Sequence, residues 1–124
     1  MGYAGPVMNA PIVQIFGHKK CADTRKAERW FKERRQKIQL VDLREKGLSP
    51  GELKSVAAHV GGMDALIDRE GAHYVEKGLR HSAPTLGRIE ALLLEDPLLL
   101  KTPIVRRGAA ATLGYRPEVW ALWK

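Results

Sequence analysis

Cys21 is the single cysteine of the 124-residue chain, and its neighbours give it a chemical use. Lys19, Lys20 and Arg25 place positive charge around it. It stands where an apolar run gives way to a charged amphipathic one, the junction of a strand and a helix. Free amides and the helix dipole favour an anion at a helix N-terminus. Each effect lowers a thiol pKa, and thiolates so placed reach about 3.5–7.5. Asp23 acts in the opposite sense and limits the shift. The thiolate is the nucleophilic form, so nucleophilic or redox chemistry is expected at Cys21. With no second cysteine there is no intramolecular disulfide, which excludes a disulfide-stapled scaffold and an internal dithiol switch.

The remaining candidates are weaker. His18, three residues before Cys21, could orient a substrate or act as a base, but reads first as a solvated loop histidine. His59, His73 and His81 follow at separations of 14 and 8 residues. That is not metal-ligand spacing, so they are expected at the surface or at helix ends, and no metal site is expected. Walker, dinucleotide-fingerprint, HExxH and catalytic-serine motifs are absent from the sequence.

The frame that must hold Cys21 is legible from composition and periodicity. Hydrophobic residues make up 44% and charged residues 28%, ordinary globular usage that excludes wholesale disorder. The length is that of one domain with a core of its own. Net charge is +7, which points to anionic partners: nucleic acid, a membrane surface or small oxyanions. No apolar run approaches the ~20 residues of a membrane helix, and no signal peptide is evident. A cytoplasmic protein is expected. Residues 1–10 read as a disordered leader, with Met8 a candidate start, and residues 11–124 as a single domain.

Ile12 to Phe16 reads as a buried strand ending at Gly17. A helix should start between Cys21 and Thr24 and run to about Arg35, with Ala27, Trp30, Phe31 and Arg34 at helical spacing. Glu28–Lys32 and Arg29–Glu33 are i,i+4 pairs. Ile38 to Asp42 is a second strand, so the opening unit is β-α-β, which favours a parallel pair. Ser49-Pro50-Gly51-Glu52 has the capping-box pattern with proline at the first helical position, and a helix should follow through His59. Residues 63–81 read as short helical pieces broken at Gly71 and Gly78. Thr85 to Glu95 is amphipathic, with Leu86, Ile89, Leu92 and Leu93 as its core face. Pro103 to Arg107 and Ala110 to Leu113 form a hairpin, and Arg116 to Trp123 a terminal helix with Val119, Trp120 and Trp123 packing inward. Arg106 and Arg107 should point to opposite faces of their strand. The first helix carries Arg25, Lys26, Arg29, Lys32, Arg34 and Arg35, but Glu28 and Glu33 interrupt it and few aromatics remain for stacking. Nucleic acid is therefore not the expected partner.

Cys21-Ala22-Asp23-Thr24-Arg25 fits the Cys-x-x-x-Arg loop of the arsenate reductase (ArsC) family, which also holds the Spx regulators and YffB-like proteins. The resemblance covers about residues 11–123. It extends to Asp42-Leu43-Arg44-Glu45-Lys46-Gly47-Leu48-Ser49, to residues 96–105 from Asp96-Pro97 to Ile104-Val105, and to Gly114-Tyr115-Arg116-Pro117-Glu118. It implies an α/β, thioredoxin-like fold: a small mixed sheet with a helical insert at about 49–96. It further implies Cys21 as nucleophile, Arg25, Lys20 and Arg116 as support for an oxyanion or the thiolate, and Pro103 as the cis-proline facing the cysteine. Arsenate reductases carry an arginine just before that proline, where this chain has Thr102. Arg106, or Arg107 on the other face, and the offset Arg69 in the middle segment are the candidate replacements. The implied function is a thiol oxidoreductase resembling arsenate reductase, using one nucleophilic cysteine with no bound cofactor. Its substrate would be a small oxyanion or disulfide, with glutathione or a glutaredoxin-like protein as reductant. The alternative implied by the same resemblance is a non-catalytic, Spx-like protein-interaction module.

Overall fold

The computed structural model describes residues 12–79 and 85–123. The expected leader, His81 and the last residue lie outside the described residues, as does the side chain of Leu86. A four-stranded sheet carries the fold, in the order β2 (Ile38–Asp42), β1 (Val13–Gly17), β3 (Ile104–Arg107), β4 (Ala110–Leu113). β1 pairs parallel with β2 and antiparallel with β3, and β3 pairs antiparallel with β4. The crossover between β1 and β2 is α1 (Ala22–Glu33). Between β2 and β3 lie α2 (Pro50–Val60), α3 (Met63–Leu66), α4 (Ala72–Glu76), α5 (Leu86–Glu95) and a 3-10 turn at Pro97–Leu99; α6 (Pro117–Trp120) closes the chain. This is the thioredoxin-like arrangement with a helical insert.

Strand alternation divides the core into two layers. Val13 and Ile15 from β1 and Val105 from β3 face α1 and α6, where they pack with Ala27, Phe31 and Trp120. Phe16 and Ile104 face the other way and pack with Leu53, Val56, Leu66, Ile89 and Leu93 of the insert. Trp120 is almost wholly buried against Phe31 and Trp30, and its indole N–H donates to Thr112 Oγ1 at 2.8 Å. A buried indole needs such an acceptor, so β4 is fixed to the terminal helix by one polar contact inside an apolar layer.

α2 begins as expected. Ser49 Oγ accepts from the Glu52 amide and Glu52 Oε1 accepts from the Ser49 amide, a complete capping box with Pro50 inside it. Gly61 then ends the helix at φ 103°, a left-handed conformation that glycine reaches without strain. Of the two expected pairs on α1, Glu28–Lys32 forms at 2.6 Å. Three boundaries differ from expectation. Ile12 is 46% exposed and precedes β1. α1 stops at Glu33, because Arg34 caps it and Arg35 turns to φ 58° so that the chain can enter β2. α6 is one turn, after which residues 121–123 continue as a turn, although Trp123 still packs on the inner layer.

Candidate functional site

The site is built where β1 ends and α1 begins. Gly17 closes β1, His18 to Lys20 turn, and the Cys21 amide bonds back to the His18 carbonyl at 3.1 Å. Cys21 is the N-cap of α1 in extended conformation, and its carbonyl accepts the first helical bond from Arg25. Its sulfur makes no capping bond of regular geometry, although the Asp23 and Thr24 amides lie near enough to favour the thiolate. Facing it is Thr102, 81 residues away, from the segment that leads into β3 through a cis Thr102–Pro103 bond. The Thr102 hydroxyl donates to Sγ at 3.1 Å, and Sγ lies 3.7 Å from the Thr102 carbonyl oxygen.

Thr24 completes the surround. It is the one buried polar residue among the described residues, at 4% exposure. Its hydroxyl finds no partner in regular hydrogen-bond geometry, yet it lies close enough to the sulfur to favour the thiolate. Thr24 packs directly on Gly17: a Cβ added there would fall 2.3 Å from Thr24 Oγ1. The glycine is thus required by the close approach of helix and strand. Burial alone would push the Cys21 thiol up. The Thr102 hydroxyl donating to Sγ, with the nearby Thr24 hydroxyl and the Thr24 and Asp23 amides, outweighs it, and the pKa falls below the ordinary thiol value. The donors are neutral hydroxyls and helix amides, not guanidinium groups.

The expected cationic residues are placed as follows. Lys20 is exposed next to Cys21. Arg25 folds back and donates to the Lys19 carbonyl, lining a cleft of about 280 Å³ with His18, Thr24, Leu40 and Asp42. Arg116 donates to the Leu113 carbonyl at 3.2 Å and lies 3.7 Å from Glu118. Its loop is near the thiol's frame, because the Gly114 amide bonds to the Pro103 carbonyl at 2.8 Å. Arg106 is not brought to the sulfur. It pairs in register with Gln14 near the opposite end of β1, contacts Gln14 Oε1 at 3.4 Å, and lies 3.7 Å from Glu52 on the insert side. Three strand positions separate it from Pro103, roughly 10 Å of rise. Arg107 points to the other face and lines the cleft around Trp30 and Trp120, so the expected alternation holds while the expected proximity of Arg106 does not. Arg69 is also engaged elsewhere, 2.6 Å from Asp64. The hydrogen bonds and ion pairs of Arg25, Arg116, Arg106 and Arg69 go to groups other than Cys21.

A second polar cluster braces the insert. Asp96 caps the 3-10 turn and meets His73 Nε2 at 2.5 Å and Lys77 Nζ at 2.9 Å. Burial would raise its carboxyl pKa, but hydrogen bonds from Lys77 and His73 hold it below the usual value. Among the described residues, no three His, Cys, Asp or Glu side chains converge to hold a metal ion, and no helix is long and apolar enough to cross a membrane.

Sequence reasoning did not single out Thr24 and Thr102 as thiol donors. Thr24 carried a usable signal: three residues past an N-cap cysteine, a side chain returns to the same first turn. Thr102 carried only its place before the proline.

The ArsC family model matches residues 16–122. The uncharacterized protein YusI of Bacillus subtilis is 26% identical over 107 residues, covering 84% of this chain and 91% of its own. The global transcriptional regulator Spx 2 of Oceanobacillus iheyensis is 28% identical over 126 residues, covering 90% and 93%. The solved structure of arsenate reductase from Vibrio cholerae superposes with a TM-score of 0.75 at 26% identity, covering 90% of this chain and 96% of that one.

Proposed function

The chain belongs to the ArsC family, and from that premise we propose that it is a single-cysteine thiol oxidoreductase that exchanges disulfides through Cys21. The observation that carries this reading is the sulfur's setting: a partly buried N-cap thiol held 3.1 Å from the Thr102 hydroxyl, with a pKa below the ordinary value. The Cys21 thiolate attacks one sulfur of a disulfide R–S–S–R′. An S–S bond forms to Cys21 and R′S⁻ leaves. A second, external thiolate then attacks the mixed disulfide and returns Cys21 as thiolate. The two electrons come from external thiols, as they must in a chain with one cysteine; glutathione or a glutaredoxin-like protein fits this role. Helix amides and hydroxyls stabilise the single negative charge that is present at each step.

Arsenate is the less favoured electrophile. It carries between one and two negative charges near neutral pH, and charge-assisted bonds of about 1.5–3 kcal/mol each are what a guanidinium cradle would supply. Arg25, Arg116, Arg106 and Arg69 are each engaged with other groups, and Thr102 offers one neutral donor. A disulfide brings no charge that needs such a cradle.

The test is a thiolate absorbance titration of the protein with and without arsenate, together with disulfide turnover by the wild type and Cys21→Ser. We expect a midpoint below the free-thiol ~8.5 that arsenate does not move, and loss of turnover in the folded serine variant. Turnover retained by Cys21→Ser would end the catalytic reading. A midpoint displaced by arsenate would restore the oxyanion as substrate.

A further inference from the structure

Arg25 follows Cys21 by about one helical turn, yet its bond is not to the sulfur. Its guanidinium folds back along the start of α1 and donates to the Lys19 carbonyl, while the groups that lower the thiol pKa are threonine hydroxyls and helix amides. What Arg25 borders is the cleft of about 280 Å³ between the first half of α1 and the end of β2. This cleft adjoins the thiol in two places. Thr24 belongs both to the sulfur's surround and to the cleft wall. Gly17, His18 and Lys19, which lead the chain to Cys21, form the rim. Leu40 supplies an apolar wall. Ile38 and Leu40 share the α1 face of the edge strand β2. Ile38 packs on the layer of Phe31 and Trp120, but Leu40 is left 47% exposed. The two carboxylates of the cleft are already matched by cations outside it. Glu28 holds Lys32 at 2.6 Å, and Asp42 accepts two bonds from the Arg44 guanidinium, at 3.0 and 3.2 Å, that lower its pKa to about 2. Lys19 and Arg25 enter no ion pair among the described residues. Apolar surface and unmatched positive charge thus stand together beside a nucleophilic sulfur.

We propose that this cleft is the specificity subsite of Cys21 and takes the R group of a small disulfide in which a ring or short hydrocarbon body carries a carboxylate. The proposal rests on the disulfide-exchange reading of Cys21 and adds the substrate class. The body of R lies against Leu40, and its carboxylate meets the Arg25 guanidinium with Lys19 alongside. A guanidinium carries several N–H donors, so one bond to the Lys19 carbonyl leaves others for a carboxylate. A volume of about 280 Å³ is close to the ~300 Å³ lower end of small-molecule pockets and suits a single ring. Residues four apart on a helix stand roughly 5–6 Å apart at Cβ, a distance that one ring spans between its sulfur and its carboxylate. A wholly polar R group would leave Leu40 in water, and an uncharged one would leave Arg25 unmatched. In the exchange, the Cys21 thiolate attacks the sulfur that carries R, the S–S bond to R′ breaks, and R′S⁻ leaves. R stays bonded to Cys21 and seated in the cleft. An external thiolate R″S⁻ then attacks the R sulfur, R–S–S–R″ departs, and Cys21 returns as thiolate.

The experiment uses the full chain and two aromatic disulfides that release coloured thiols: dithiobis(nitrobenzoate), with a carboxylate on each ring, and uncharged dithiodipyridine. Each rate is divided by the iodoacetamide alkylation rate of the same protein at the same pH and salt, which removes changes in the thiol itself. The variants are Arg25→Gln, the charge-retaining Arg25→Lys, Leu40→Ser, and Lys26→Gln, which removes one charge from α1 outside the cleft. We expect Arg25→Gln to slow the nitrobenzoate disulfide about tenfold, the worth of one charge-assisted bond near water. Dithiodipyridine should slow by less than about twofold in the same variant, since it brings no charge to Arg25. Arg25→Lys should recover part of the loss. Lys26→Gln should change either rate by less than about twofold, because a charge outside the cleft is screened. Leu40→Ser should slow both aromatic disulfides about threefold through lost apolar contact. Equal slowing of the nitrobenzoate disulfide by Arg25→Gln and Lys26→Gln would show a response to the general field of the helix and overturn the subsite alone. Wild-type rates in Leu40→Ser with both disulfides would overturn it too. Cys21 that is alkylated by iodoacetamide but reacts with neither disulfide would instead overturn the exchange reading, and the subsite with it.

Discussion

Replacing Thr102 by valine removes the hydroxyl that donates to Sγ at 3.1 Å and keeps the branched shape before Pro103. A hydrogen bond to a charged acceptor contributes about 1.5–3 kcal/mol when shielded from water. The Cys21 sulfur is only partly buried, so water replaces some of what is lost, and about 1 kcal/mol is the reasonable figure. At 1.36 kcal/mol per unit, the thiol pKa should rise by roughly 0.7. The added methyl desolvates the thiolate further and acts in the same direction. The effect on rate has two signs. Below the pKa the thiolate fraction falls about fivefold, but a more basic thiolate is a better nucleophile, with a Brønsted slope of about 0.4–0.5. The net loss well below both pKa values should be about two- to threefold, and well above both the variant should react about twofold faster than wild type. Thiolate absorbance against pH and the alkylation rate with iodoacetamide measure both quantities, with Thr102→Ser as the control that keeps the hydroxyl. An unmoved or lowered midpoint in Thr102→Val, or rate curves that never cross, would show that Thr102 does not stabilise the thiolate.

Three further outcomes are expected. Asp96→Asn should destabilise the fold by about 1–3 kcal/mol at pH 7, since His73 and Lys77 lose a partly buried carboxylate. Because the folded Asp96 pKa is depressed, its contribution is present above the unfolded value near 3.9 and is lost as pH falls through the lower folded value. Urea unfolding at pH 7 and pH 3 should therefore show the gap between wild type and variant narrowing in acid. Gly17→Ala should destabilise by about 1–3 kcal/mol and displace Thr24, since the new methyl would sit 2.3 Å from Thr24 Oγ1 and the β-branched side chain has little room in rotamer space on a helix. A thermal melt reads the first effect and the thiol titration the second. Ser49→Ala should lower stability by about 1 kcal/mol through loss of the capping box on α2, visible as a lower urea midpoint at unchanged slope.

The parts of the fold that were legible in the sequence are those with local causes. β1 and β2 announce themselves as short β-branched runs, α2 by its capping box, and the N-terminus of α1 by the change of pattern at Cys21. The end of α1 was not legible, because no glycine marks it: Arg35 takes the left-handed turn at φ 58° under the demand of the β2 register. Arg106 illustrates a half-legible residue. Alternation tells that it and Arg107 diverge, but which of them faces the insert depends on the side of the sheet that α2 covers, and Glu52 on α2 is what captures Arg106. The thiol's surroundings divide in the same way. Charge near Cys21 could be read from its neighbours, whereas the Thr102 contact spans 81 residues and exists only once β3 has taken its place beside β1.

That long span makes the sulfur a reporter of its own folding. In an unfolded chain Thr102 is remote and the helix amides are gone, so Cys21 reverts to the acidity of a free thiol. Most buried cysteines are alkylated faster when a protein opens. Here the chemistry runs the other way at neutral pH: opening deprives the sulfur of its thiolate character, and the native state is the quicker to be labelled wherever access is equal. A pulse of alkylating reagent during refolding would therefore time the assembly of the sulfur's surround, the start of α1 together with the Thr102 segment, by the moment at which labelling accelerates.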